Sequence, residues 1–193
     1  MMKQLFIIPI IVFCLSSLNG QRVIGYYPQW VQSSFTPDKI DYSVITHVIH
    51  SFAWPDEQGN ILHYDNMLSQ SVNNTVHDNG AKILLCFGGW GQSWGFSASM
   101  STPELREIFI DNIISVCETY DYDGVDIDWE QPVNATEKDN LTTFIAELRQ
   151  AFDDLYPDWI ISMAVPVSNW SGQYYDFNQL KQSVDFFNAM TYD

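Results

Sequence analysis

Apolar positions recur along the chain with two alternating periods. Short runs of aliphatic, β-branched and aromatic residues occupy Arg22 to Tyr27, Val44 to Ala53, Ala81 to Phe87, Gly124 to Trp129, Trp159 to Pro166 and Asp185 to Asp193. Runs of this length and composition predict strands. Helical periods lie between them. Thr102-Pro103-Glu104 supplies a capping hydroxyl, a proline at the first helical position and an acid in the first turn, which predicts a helix start. Leu105, Ile108, Phe109, Asn112, Ile113 and Val116 form its predicted inner stripe. A second helix is predicted over residues 136–156, where Leu141, Phe144, Ile145, Leu148, Phe152 and Leu155 fall on one face of a 3.6-residue period. Strands alternating with helices predict βαβ units and a parallel sheet.

No low-complexity stretch, charge block or Pro/Gly-rich linker interrupts residues 21–193, so one domain is expected. Six strands can be counted, the sixth reaching the last residue. A (β/α)8 TIM barrel typically needs about 250 residues. The expectation is therefore an α/β fold of that kind, truncated after its sixth strand, with about six of the eight βα units present. A doubly wound open sheet is the alternative, but it calls for a glycine-rich phosphate turn after the first strand. Residues 25–30, GYYPQW, are aromatic there instead.

The first twenty residues have a positive start at Lys3, an apolar run from Leu5 to Leu15 and small polar residues before Gln21. That order is expected of a secretory signal peptide, and the run is short for a membrane span. A secreted, extracellular protein is expected, with cleavage near Gly20. Its removal takes Lys3 and no acid, moving the formal charge from -16 to -17. So acidic a chain argues against nucleic acid or an anionic membrane as partner, because both require clustered Lys and Arg. A monomer acting on a neutral substrate is expected. With Cys14 in the leader, Cys86 and Cys117 remain and make no disulfide framework. Both are expected as buried, small apolar side chains. Sequons stand at Asn73, Asn134, Asn140 and Asn169.

Residues 123–130, DGVDIDWE, carry the chemistry. Side chains alternate along a strand, so Asp126, Asp128 and Glu130 share one face and Val125, Ile127 and Trp129 the other. With the apolar face against helices, three carboxylates stack toward the interior, at the C-terminal end where barrel enzymes place their sites. Acids so close cannot all ionise together near neutral pH, so one proton at least is retained. A protonated acid can donate to a leaving sugar oxygen. Glu130, the longest and nearest the strand end, is the expected donor. Two other readings exist for such a pattern. Alternating acids can mark a solvated strand face, and clustered Asp and Glu can hold Mg²⁺ or Ca²⁺. The alternation of Val125 and Ile127 speaks for a strand, where an EF-hand loop would have its own ligand spacing and a central glycine. No metal and no cofactor are expected.

The stretch DGVDIDWE resembles the signature of family 18 glycoside hydrolases, which include chitinases. Ala81 to Trp90, AKILLCFGGW, is similar to that family's third strand with its double glycine, and Met190-Thr191-Tyr192-Asp193 to its sixth-strand motif. Gly25-Tyr26-Tyr27 and Ser51-Phe52-Ala53 resemble the ends of its first two strands. The resemblance implies hydrolysis of β-1,4-linked N-acetylglucosamine polymers, chitin or chitooligosaccharides, by a retaining mechanism in which the substrate's acetamido oxygen is the nucleophile. It implies Glu130 as acid and then base, and Asp128 as holder of the acetamido N–H. Asp126 would lie beneath, sharing a proton, with Tyr192 donating to the acetamido oxygen. Tyr26, Phe52, Met190 and Asp193 would bound the sugar, and Gly89 belongs to the double glycine. Trp30 and Trp90 match cleft positions, Trp94 and Trp170 are further stacking candidates, and Trp129 is expected to pack outward. The four histidines are given no role.

Cys86 departs from the serine usual in the resemblance, and a thiol is the poorer donor. The family's seventh and eighth strands, with the tryptophan that floors the sugar site, have no counterpart in this sequence. Three rival readings remain. One is a non-enzymatic chitin-binding lectin on the same fold, in which the acid is typically replaced. Another is an endo-β-N-acetylglucosaminidase acting on N-glycans. The third is a truncated product with no activity.

Overall fold

The computed structural model describes residues 21–192. The expected signal peptide and Asp193 lie outside the described residues. The described chain forms strands β1 (Ile24–Pro28), β2 (His47–Pro55), β3 (Ile61–His63), β4 (Lys82–Gly88), β5 (Gly124–Asp128), β6 (Ile160–Pro166) and β7 (Phe186–Met190). Its helices are α1 (Gln70–Asp78), α2 (Phe96–Ser99), α3 (Pro103–Tyr120), α4 (Ala135–Leu155), α5 (Asn169–Gly172) and α6 (Phe177–Leu180). The sheet order is β1-β2-β4-β5-β6-β7 with every neighbouring pair parallel, and β3 pairs antiparallel with β2.

The sheet curls. Arg22 reaches the Phe186 ring at 4.9 Å and Asn188 on β7 comes within 3.4 Å of the Tyr26 hydroxyl on β1, so the two ends of the strand order meet across the interior. This is part of a (β/α)8 barrel wall. Strand parity then sorts the side chains into two clusters. Ile49, Leu84 and Cys86 pack inside with Ile24, Phe52, Ile160 and Phe186, while Val125, Ile127, Trp129 and the apolar faces of α3 and α4 pack outside.

Both helix starts follow from their caps. Thr102 Oγ1 accepts from Leu105 N, and Asn134 Oδ1 accepts from Glu137 N while Glu137 Oε2 accepts from Val133 N. Leu141, Phe144, Ile145, Leu148 and Phe152 of α4 are buried as predicted, but Leu155, in the last turn, is 60% exposed. The stripe of α3 is rotated from its expected place. Arg106, Phe109, Ile110, Ile113 and Cys117 face inward and Ile108 is exposed. The reason is an ion pair: the Arg106 guanidinium donates to both Glu147 oxygens on α4, at 2.6 and 3.0 Å, and to the Met100 carbonyl. The β3 hairpin was not foreseen, and each of the six sequence runs ends within three residues of where its strand does.

Candidate active site

The C-terminal ends of the parallel strands surround a cleft of about 1330 Å³. Asp128 and Glu130 line it, while Asp126 lies below, fully buried. The three acids share one face of β5 and its continuation, as parity requires. Trp129, on the other face, is 4% exposed and stacks on Phe96 with ring centroids 5.5 Å apart.

Register builds the support for Asp126. Cys86, Asp126 and Ser162 are direct partners across β4, β5 and β6. Asp126 Oδ1 accepts from Ser162 Oγ at 2.5 Å and from Asn188 Nδ2 at 3.1 Å; Oδ2 accepts from Tyr26 Oη at 2.9 Å and from Cys86 Sγ at 3.3 Å. Burial raises the Asp126 pKa, and these donors oppose the rise. With two donors on each oxygen, a proton on Asp126 would displace one of them. Asp128 is treated differently. Its Oδ1 is buried with no hydrogen-bond partner among the described residues. Burial first, then the charges of Asp126 and Glu130, push its pKa up to about 8. Burial and its acidic neighbours thus favour the protonated form of Asp128. Burial also raises Glu130.

The double glycine serves close approach. A Cβ at Gly88, whose φ is +112°, would meet the Asp128 carbonyl oxygen at 2.0 Å, and one at Gly89 would meet the Phe52 ring at 2.7 Å. Gly89 N donates to that same Asp128 carbonyl at 2.8 Å.

Of the residues singled out from sequence, Tyr26, Trp30, Phe52, Trp90, Asp128, Glu130, Met190 and Tyr192 line the cleft. Trp30 stacks on Phe52 with centroids 6.0 Å apart, and Trp90 is 87% exposed. Gly89 lies under the Phe52 ring rather than at the cleft surface. Tyr192 follows the end of β7 instead of lying within a strand. Trp94 and Trp170 are exposed but are not among the residues lining the cleft. Cys86 and Cys117 are both buried and free.

Ser162 and Asn188 were missed. Each is a polar interruption in an apolar strand, IISMAVP and FFNAM, and that interruption is the signal that could have found them. Tyr175 and Gln92, also cleft-lining, gave no periodic signal. His50 has a structural place: it is fully buried, pairs with Gln32 and the Tyr122 hydroxyl, and burial lowers its pKa to about 4. Among the described residues no three His, Cys, Asp or Glu side chains are arranged to hold a metal ion, and no helix is long and apolar enough to cross a membrane.

Fold and site together define part of a parallel α/β barrel with stacked carboxylates at the strand ends. The chain belongs to glycosyl hydrolases family 18, whose model matches residues 22–193. It is 31% identical over 195 residues to "Probable chitinase 10" of Drosophila melanogaster, covering 89% of this chain and 8% of that protein. It is 30% identical over 198 residues to "Chitotriosidase-1" of Mus musculus, covering 91% of this chain and 42% of that one. The crystal structure of the second catalytic domain of an Ostrinia furnacalis Group II chitinase superimposes with a TM-score of 0.81 at 28% identity, over 89% of this chain and 50% of that chain. The chain thus spans about half the length of that solved structure.

Proposed function

We propose that the protein hydrolyses β-1,4-linked N-acetylglucosamine chains by a retaining mechanism in which the substrate supplies the nucleophile. The observation that carries this reading is the acid stack: a fixed Asp126, a proton-retaining Asp128 and a cleft-lining Glu130 on one strand face. Glu130 gives its proton to the leaving oxygen as the glycosidic C1–O bond breaks. The acetamido oxygen of the same sugar forms the new bond to C1. Asp128 passes its proton to Asp126, which gives up one of its donors, and as a carboxylate accepts from the acetamido N–H and offsets the positive charge of the resulting oxazolinium ring. Tyr192 donates to the acetamido oxygen as that bond forms. Water then attacks C1, Glu130 takes its proton back, and the ring opens to the product. Tyr26, Phe52 and Met190 bound the sugar, and Trp30 and Trp90 offer exposed aromatic faces to its C–H bonds.

The names of the fly and mouse relatives favour chitin over an N-glycan core as substrate. The leader-like first twenty residues support action outside the cell. Glu130→Gln tests the assignment of the acid. Turnover of chitotetraose by the full protein falls by at least about a thousandfold, while its binding, read by tryptophan fluorescence, stays within a few fold. Hydrolysis retained in this variant sinks the assignment. Release of sugar from a glycoprotein but not from chitotetraose points to an endo-β-N-acetylglucosaminidase, and binding without turnover in the parent protein to a lectin.

A further inference from the structure

Hydrogen-bonded pairing of β5 with β4 ends at Gly88↔Asp128. Beyond that point the backbone has left the ladder, yet it must carry Glu130 at a defined place over the cleft. Backbone groups in such a segment need partners other than a neighbouring strand. The Trp129–Glu130 peptide finds them in two side chains. Its carbonyl accepts from the Tyr175 hydroxyl at 2.6 Å. Its N–H donates to Ser93 Oγ at 3.0 Å.

This peptide bond is trans, so its N–H and C=O point in opposite directions. The two hydroxyls therefore grip one peptide plane from opposite edges. Each comes from a different loop, Ser93 from the segment after β4 and Tyr175 from the segment after β6. Tyr175 is 5% exposed. Ser93 Oγ also lies 3.2 Å from the Gly89 carbonyl and 3.4 Å from the Asp128 carbonyl, where its own proton can go. Ser93 is thereby tied to the double glycine that supports Asp128.

We propose that Ser93 and Tyr175 are positioning residues whose hydroxyls clamp the Trp129–Glu130 peptide and so fix the aim of the Glu130 carboxyl. The proposal deepens the hydrolase reading above and rests on it for its kinetic consequence. Rotation of that peptide would swing the Cα of Glu130, and displacements of about 1 Å at a reacting group cost up to about a hundredfold in rate.

The test uses the full protein with Tyr175→Phe, which keeps the ring, and with Ser93→Ala and Ser93→Thr. Steady-state kinetics on chitotetraose are paired with the ¹³Cδ titration of Glu130 by NMR. Expected are a fall in kcat of about tenfold in Tyr175→Phe and Ser93→Ala with KM within about twofold, a moved Glu130 titration, and recovery in Ser93→Thr. A kcat within twofold of the parent together with an unmoved Glu130 titration in both variants overturns the clamp. So does a loss of turnover that tracks loss of folded protein, with threonine no better than alanine at position 93. A parent protein that does not cleave chitotetraose contradicts the hydrolase reading instead, and the Glu130 titration alone then decides the clamp.

Discussion

Asp126 and Asp128 stand two residues apart on one strand face, yet opposite forms are stabilised. Asp126 meets four donors and Asp128 an unpartnered buried oxygen beside two other acids. The sign of the consequence for stability follows from linkage. A carboxyl raised from 3.8 to about 8 binds its proton in the folded state where the unfolded state has already lost it. Its contribution is fully present below the unfolded pKa and is lost as pH rises toward about 8, at up to about 1.4 kcal/mol per pH unit. Asp128→Asn removes that dependence. The variant is expected to melt higher than the parent at pH 8, with a gap that closes toward pH 4. An equal melting difference at both pH values contradicts the assignment. At this scale the acid spacing was legible, because period-two alternation needs only one segment. The donors Ser162 and Asn188 were not, because they reach Asp126 through the register and curl of strands remote in sequence.

The elements with long periodic faces were read correctly in place and less well in rotation. On α3 the apolar pattern allowed more than one inner stripe, and a buried arginine chose among them. Arg106 is 7% exposed, and its partner Glu147 lies on the neighbouring helix, so nothing local announces the pair. Glu147→Ala leaves the guanidinium buried with only the Met100 carbonyl to accept from it. Because the Glu147 side chain is 40% exposed, a loss of about 1–2 kcal/mol is expected in urea unfolding; a loss below about 0.5 kcal/mol would show the pair to be no more than a surface contact. The strand starts carry a device that repeats. Asp123 Oδ2 accepts from Ile83 N and Asp185 Oδ2 from Ile161 N, each acid standing just before its strand and bonding the neighbouring one. The three-residue β3 escaped notice because ILH is too short to show a period.

Across the whole molecule, six parallel strands in one curled order bring residues from nearly the full described length to a single cleft. Tyr26 and Asn188 are separated by 162 positions and both touch Asp126. The parallel architecture was legible from the alternation of short and long apolar periods. The convergence was not, since no local pattern encodes how far a sheet curls. What the account claims is that this cleft breaks a glycosidic bond with the substrate's own acetamido group as nucleophile. The most direct measurement is the anomeric form of the reducing end newly formed when the full protein cleaves chitotetraose, followed by ¹H NMR before mutarotation. The account predicts the β-anomer; the α-anomer, or no cleavage at all, would contradict it.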